Sequence, residues 1–221
     1  MCAPFLRLRV VVGEQKIIIL PRDEKIKKNR VKWLTIIGHK IHAIYAHEEF
    51  NPYSEKFEHD IALLQLSEPV KWRPKIRPVC LPTVNQGSLD DAFGYVSGWG
   101  RDGTDVTDGK DGTDASYPKK LNYVSLKIQP KKTCYKDENW DKIMFCAGEA
   151  DGKKDACAGD SGGAFVVNSA DNQQATKFSF KVVGIVSYGP RCGTKGEYGH
   201  YTRVGNYLNW INKTIEAMKT V

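Results

Sequence analysis

The residues best suited to chemistry lie in one segment, 155–165, which reads Asp-Ala-Cys-Ala-Gly-Asp-Ser-Gly-Gly-Ala-Phe. Ser161 offers a nucleophilic hydroxyl, and the flanking Gly159 and Gly162 let the backbone turn sharply. Such a turn can point successive N–H groups, here those of Gly159 and Ser161, into one concavity that binds an oxyanion. The segment therefore predicts a serine nucleophile, which also needs a base. For Gly-Asp-Ser alone, a tight turn between strands would be the better interpretation.

Asp60 is the second candidate for chemistry. It precedes the apolar run Ile-Ala-Leu-Leu-Gln-Leu at 61–66, which would bury its carboxylate beside a cleft. Without Ser161, an ordinary acid at the start of a strand would explain Asp60 equally well. Because the chain contains Ser161, we favour the hypothesis that the Asp60 carboxylate orients a histidine base.

Four of the five histidines crowd the region around Asp60: His39, His42, His47 and His59. For His47 and His59, a surface histidine near a turn is the default interpretation. His39 and His42 could share one face of a strand and bind a metal ion. Two ligands without a third make a weak zinc site, so neither a metal nor a cofactor is predicted.

Residues 159–163, Gly-Asp-Ser-Gly-Gly, resemble the sequence around the nucleophile of the trypsin-like serine proteases. The resemblance extends over most of the chain through Asp-Ile-Ala-Leu-Leu at 60–64, Ser-Gly-Trp-Gly at 97–100, Ser-Tyr-Gly at 187–189 and Tyr-Thr-Arg-Val at 201–204. Tyr188 departs from the family's usual Ser-Trp-Gly. Residues 163–165 and 184–194 are most similar to the complement-initiating modular proteases of the first-component and lectin pathways.

The resemblance implies a role for each matching residue. Ser161 would attack a peptide carbonyl in a protein substrate, Asp60 would orient the base, and the Gly159 and Ser161 N–H groups would form the oxyanion hole. Asp155 would lie at the floor of the specificity pocket and select Arg or Lys side chains. Asp160 would receive the amino terminus that activation cleavage creates. Four further residues would bind the substrate: Ser187, Tyr188, Gly189 and Gly199.

The resemblance also implies an all-β fold of two six-stranded antiparallel Greek-key barrels, the first incomplete, with a carboxy-terminal α-helix. Residues 1–85 would form the partial first barrel, 86–205 the second barrel and 206–221 the helix. The chain has 221 residues and 41% apolar content, which suffices for one such domain.

Local patterns support these elements. Residues 121–128 alternate like a half-buried strand, 178–186 carry the longest strand signal, and apolar residues recur at helical spacing after 206. No apolar run approaches ~20 residues, so no membrane span is predicted. Two arginines interrupt the apolar stretch at 1–10, which is therefore not a secretory signal peptide.

Six cysteines in an otherwise ordinary composition suggest an oxidising compartment, and we expect a secreted, extracellular protein. The resemblance implies two bridges, Cys134–Cys146 and Cys157–Cys192. It leaves Cys2 and Cys80 without partners in this chain, and Cys80 could join an upstream chain or module. A Cys2–Cys80 bridge is the alternative.

Cys2 resembles the cysteine of the family's Ala-Ala-His-Cys segment, which places the base histidine at Met1 or before it. The family's new amino terminus, usually Ile-Val-Gly-Gly, is also not visible. We therefore expect an amino-terminally truncated protease domain that is inactive by itself, is poorly soluble or oligomeric, and has two free thiols. A naturally inactive homologue that acts as a binding module is the main alternative, followed by an unrelated binding protein.

Two charged segments lie outside these motifs. The net charge of +7 concentrates at 16–32, which predicts a solvated basic loop, with an anionic glycan or acidic protein partner as the alternative. Aspartates recur every third residue through 102–114, which predicts a mobile acidic insertion beside the cleft, although a calcium site is conceivable. Asn-Lys-Thr at 212–214 is a glycosylation sequon if the chain is secreted. No nucleic-acid-binding motif is present.

Overall fold

The structure, a computed structural model, describes residues 41–54, 57–72, 74, 76–83, 88–101, 117, 118, 120–134, 138–168 and 180–219. Several predictions fall outside these ranges, namely those for Cys2, His39, the basic segment 16–32 and the acidic segment 102–114. Within the described ranges, every helix is too short or too polar to cross a bilayer.

Strands dominate the described residues, as the all-β prediction requires. They are β1 (Ile41–Ala46), β2 (Ala62–Leu66), β3 (Phe93–Gly98), β4 (Asn122–Lys127), β5 (Met144–Ala147), β6 (Ala164–Asn168), β7 (Phe180–Tyr188) and β8 (Gly199–Arg203). The helices are α1 (Lys131–Cys134), α2 (Glu138–Ile143) and α3 (Leu208–Ala217). The predicted carboxy-terminal helix is confirmed as α3, which follows a 3-10 turn at Val204–Tyr207.

Six of the strands form one antiparallel sheet in the order β4-β3-β6-β7-β8-β5. Its two edges meet where Ile128, just after β4, bridges to Ala147 on β5. The Gln129 N–H donates to the Cys146 carbonyl at 3.0 Å, and the Gly148 N–H donates to the Lys127 carbonyl at 3.0 Å. The sheet is therefore curled into a barrel. Strands β1 and β2 pair separately and antiparallel.

Three buried aromatic rings fill the barrel. Phe145 stacks on Tyr201 with ring centres 5.3 Å apart, and Phe165 packs edge-on against both rings. Space for these rings comes from glycine. A Cβ at Gly184 on β7 would lie 2.5 Å from Phe145 Cζ, and one at Gly94 on β3 would lie 2.0 Å from Phe165 Cε1. Aromatic size and glycine position are thus matched across strands.

A second apolar cluster joins α3 to the segment around Asp60. Tyr207, Leu208 and Ile211 pack with Ile61 and Leu63, and all five side chains are buried. This packing buries the apolar helical face that the sequence predicted. It holds the residue after Asp60 against the carboxy-terminal helix.

The structure contains both predicted bridges, Cys134–Cys146 and Cys157–Cys192. The expectation that Cys80 lacks a partner within this chain, and with it the expectation of two free thiols, is wrong. Cys80 is disulfide-bonded, its partner lies outside the described residues, and no described cysteine is free. The expectation came from the family resemblance, which implied an upstream partner for Cys80, whereas the fold decides which cysteines meet.

We predict that Gly184→Ala destabilises the protein by about 1–3 kcal/mol, because its Cβ would overlap the confined Phe145 ring. Gly205→Ala is the matched control, since its Cβ would lie at an ordinary 3.8 Å from Pro82 Cγ. Chemical unfolding of the two variants measures the difference. Equal stabilities would contradict the steric explanation.

Candidate active site

The segment around Ser161 forms two consecutive tight turns. The Asp160 N–H donates to the Cys157 carbonyl at 2.9 Å, and the Gly163 N–H donates to the Asp160 carbonyl at 2.9 Å. The Gly162 N–H donates to the Val186 carbonyl on β7 at 2.8 Å, which anchors the second turn to the barrel. The predicted sharp turn is therefore present, with β6 leading away from it.

Two glycines make this backbone path possible. Gly159 has φ 102° and Gly162 has φ 77°, a region that residues with side chains rarely occupy. Ser161 lies between them and is exposed. Among the described residues, neither the Gly159 N–H nor the Ser161 N–H donates a hydrogen bond to a backbone carbonyl. Both remain available as donors, which an oxyanion hole would require.

The Asp160 carboxylate stabilises the turn by accepting two backbone hydrogen bonds. Its Oδ1 accepts the Gly100 N–H at 2.8 Å and its Oδ2 accepts the Cys157 N–H at 3.0 Å. A Cβ at Gly98 would lie 2.0 Å from Oδ1, and one at Gly100 would lie 2.5 Å from the carboxyl carbon. The Gly-Trp-Gly sequence at 98–100 is thus explained by the carboxylate that lies against it.

The Asp60 side chain and backbone are each fixed by a hydroxyl. Ser187 Oγ donates to Asp60 Oδ2 at 2.6 Å, and Thr202 Oγ1 donates to the Asp60 carbonyl at 2.7 Å. The sequence singled out Asp60 and Ser187 separately, and the fold joins them across 127 positions of the chain. The carboxylate is therefore held at the end of β7.

Asp155 lies where two predicted substrate-binding glycines meet. Its carboxylate accepts the Ala156 N–H at 2.8 Å and the Gly193 N–H at 3.1 Å. A Cβ at Gly199 would lie 3.2 Å from Asp155 Oδ1, and one at Gly189 would lie 3.4 Å from Gly199 Cα. A side chain at position 199 would thus press on the carboxylate, which explains a glycine there.

Burial raises the pKa of Asp155 above its usual value, because the ionised carboxylate loses hydration. The two backbone N–H groups oppose this shift, and the negative charge of Asp160 adds to it. No ion pair joins Asp155 to a described lysine or arginine. The site therefore offers a partly buried negative charge without a cation.

Tyr188, one of the residues predicted to bind the substrate, lies among aromatic side chains. Its hydroxyl accepts the Trp140 Nε1–H at 3.3 Å, and its ring centre lies 5.3 Å from that of Phe57. Neither Phe57 nor Trp140 was predicted from the sequence to belong to the site. The position of Phe57 three residues before Asp60 was the available signal, but its meeting with Tyr188 depends on the fold.

Two of the described histidines, His47 and His59, contact each other. His59 stacks on His47 with ring centres 4.8 Å apart, and its nitrogens face Tyr207 and Glu49. His42 is exposed on β1. Within the described part of the chain, no histidine is hydrogen-bonded to Ser161 or to the Asp60 side chain.

A cavity of about 430 Å³ lies against the loop that carries Ser161. Its lining includes Asp155, Asp160, Arg101, Lys153 and Lys154, but not Ser161 or the other residues predicted to bind substrate. The cavity is thus distinct from the place where the two substrate-binding glycines meet.

His200 lies beside Tyr188 with ring centres 4.6 Å apart, and its Nδ1 has no partner among the described residues. Burial lowers its pKa from 6.5 to about 4. The unfolded chain therefore binds more protons than the folded chain between these values. Stability is complete above pH 6.5 and falls as the pH drops towards 4.

We predict that His200→Phe reduces the loss of folding free energy on acidification. For a pKa shift of this size, that loss amounts to about 3 kcal/mol. Phenylalanine keeps the ring and removes the titrating nitrogens. Free energies of unfolding at pH 7 and pH 4.5 measure the effect, with His42→Asn as the exposed control. An unchanged loss in His200→Phe would contradict the assignment.

The chain matches known proteins along most of its length. The protein-family profile described as Trypsin matches residues 23–211. The chain is 38% identical over 175 residues to the Complement C1s subcomponent of Bos taurus, and 38% identical over 176 residues to that of Sus scrofa. Each alignment covers 73% of this chain and 23% of the relative. This chain is 32% identical over 211 residues to Coagulation factor IX of Cavia porcellus, and that alignment covers 94% of this chain and 64% of the relative.

Proposed function

Since this chain belongs to the trypsin family, we propose that it is the protease domain of a secreted endopeptidase that cleaves after Arg or Lys. The observation that carries this proposal is the meeting of Asp155, Gly189 and Gly199. A partly buried carboxylate without a described cation partner lies against the backbone of Gly199, where a side chain would press on it, and Gly189 packs next to Gly199. A guanidinium or ammonium group that reached this carboxylate would supply the missing charge.

The proposed reaction is serine acyl transfer. Ser161 Oγ adds to the carbonyl carbon of the peptide and gives its proton to an imidazole, while the Gly159 and Ser161 N–H groups stabilise the oxyanion. The imidazolium then protonates the leaving amine, and water hydrolyses the acyl-enzyme. Asp60, held by Ser187, would orient the imidazole.

The imidazole is the component that the described site does not provide. Neither His47 nor His59 is hydrogen-bonded to Ser161 or the Asp60 carboxylate, and His200 is buried beside Tyr188. We therefore propose that the described residues hold the acid and the nucleophile and that the base lies outside the described residues.

Asp160 supports a second part of the proposal, which concerns activation. Its carboxylate lines the cavity of about 430 Å³, whose other lining groups include the glycines at 98 and 100. An amino terminus entering this cavity could form an ion pair with Asp160. Such an ion pair would act, through the Asp160 carboxylate, on the turn that carries Ser161.

The cellular setting is proposed from the cysteines and the relatives. Two described disulfides and the bonded Cys80 favour an oxidising, extracellular location. Similarity to complement C1s and coagulation factor IX favours a protein substrate in a proteolytic cascade. Cys80 no longer supports a link to an upstream chain, because it is already bonded. Asn212 is exposed on α3, where a glycan would reach solvent.

The second candidate function is a catalytically inactive binding module. The specific observation in its favour is that, within the described residues, no histidine is bonded to the nucleophile or the acid. A binding module would have no need for a cation-selective pocket at Asp155. Binding of a cation at Asp155 therefore separates the two functions.

We predict that benzamidine binds at Asp155 and that Asp155→Asn weakens its binding at least about 30-fold, because one member of a buried charge pair is lost. The affinity should fall on acidification at a higher pH than for an ordinary carboxylate, since the pKa of Asp155 is raised. Calorimetry measures both effects. Asp151→Asn is the control, because Asp151 pairs with Lys153 at the surface. Equal affinity in Asp155→Asn would overturn the proposed specificity.

We also predict that a fluorophosphonate labels Ser161 in the 221-residue chain no faster than it labels the Ser161→Ala control. Loss of the base histidine costs roughly 10⁶-fold in turnover in a comparable serine protease. Intact-mass spectrometry measures the labelling. Stoichiometric modification of Ser161 would mean that these residues supply a base after all.

A further inference from the structure

His47, Glu49 and His59 form a cluster that the proposed protease chemistry does not use. His47 directly follows β1, and His59 directly precedes Asp60. One side-chain ligand atom from each of the three residues lies within 4.8 Å of the others. The fold thus joins a turn after β1 to the segment that carries the candidate acid.

The donor set is one that zinc prefers, since imidazole nitrogen and carboxylate oxygen are common zinc ligands. His59 Nε2 and Glu49 Oε2 are 3.3 Å apart. Bonds of about 2.0 Å in a tetrahedral zinc site place ligand atoms about 3.3 Å apart. Two of the three donors therefore already have the separation that a tetrahedral ion requires.

The His59 ring is held by a buried partner. Tyr207 Oη lies 3.1 Å from His59 Nδ1, and the Tyr207 side chain is 4% exposed. If His59 Nδ1 carries the proton and donates to Tyr207, Nε2 presents its lone pair towards Glu49. Outer groups that fix a histidine in this way are typical of metal sites.

His47 brings the third donor. Its ring is nearly parallel to that of His59, with an interplanar angle of 12°. The His47 Nδ1 accepts a long hydrogen bond of 3.3 Å from the Glu49 N–H.

The surroundings leave one side of the cluster open to water. The Glu49 side chain is 67% exposed. The neighbouring Glu48 is turned to a different partner, since its Oε2 accepts the Trp210 Nε1–H at 2.9 Å. Three protein ligands and one water would complete four-coordination.

We propose that His47, Glu49 and His59 bind one divalent cation of the zinc class. The ion would clamp the turn after β1 to the segment that carries Asp60. The site stands apart from the proposed protease function, because none of its ligands is assigned to the reaction. It also differs from the His39 and His42 pair that the sequence suggested, whose described member, His42, is exposed on β1.

The test uses Zn²⁺ alone, added to the metal-free 221-residue chain in competition with a chromophoric chelator. One ion per chain should bind, and His47→Asn and His59→Asn should each weaken binding at least about 100-fold, more than loss of an outer partner does. Tyr207→Phe keeps the ring and removes the orienting hydroxyl, so binding should weaken by about tenfold. His42→Asn is the control and should bind as the unaltered chain does.

Glu49→Gln keeps the test decisive if a histidine variant fails to fold, because Glu49 is exposed and contributes little to the core. Cobalt(II) in place of zinc should give the visible absorption of a four-coordinate nitrogen and oxygen site, and this absorption should be lost in Glu49→Gln. The proposal is overturned if Zn²⁺ does not bind. It is also overturned if Glu49→Gln and His59→Asn bind as well as His42→Asn does, which would leave a His–Glu surface ion pair.

Discussion

The site depends on the hydrogen bonds of the partly buried Asp160 carboxylate. This carboxylate accepts two backbone N–H groups, from Gly100 and Cys157, and so connects the end of β3 to the loop that carries Ser161. Because a carboxylate oxygen lies where a side chain at 98 or 100 would begin, only glycine fits there. The Cys157–Cys192 bridge fixes the outer end of the same loop. The exposed serine is thus held by constraints that lie beneath it.

Asp60 is the point at which the two sheets of the structure meet. Its carboxylate is bound by Ser187 at the end of the barrel strand β7, and its carbonyl by Thr202 on β8. The adjoining Ile61 packs in the cluster that includes α3, and the Ile61 carbonyl accepts the His47 N–H. One short segment therefore connects the β1–β2 sheet, the barrel and the carboxy-terminal helix.

The charges around this segment are divided between two faces. On one face, Asp60 and Ser187 adjoin Tyr188 and the glycines beside Asp155. On the other, His47, Glu49 and His59 gather against Tyr207 and α3. His59 and Asp60 are consecutive but make different contacts, since their hydrogen bonds go to Tyr207 and Ser187. A metal ion and a substrate could therefore bind on separate sides of the same short segment.

The sequence by itself determined the family motifs, the barrel strands at β4 and β7, the helix α3 and the bridges Cys134–Cys146 and Cys157–Cys192. The strands and the helix follow from local periodicity, and the motifs follow from the order of residues within them. The two bridges were implied by the family resemblance and not by the spacing of the cysteines. Only the tertiary structure decided that Asp60 binds Ser187, that Phe57 faces Tyr188, that Cys80 is already bonded, and that His47 meets His59. Each of these contacts joins separate segments, and which segments meet depends on how the strands pair and the helix packs, which local spacing does not encode.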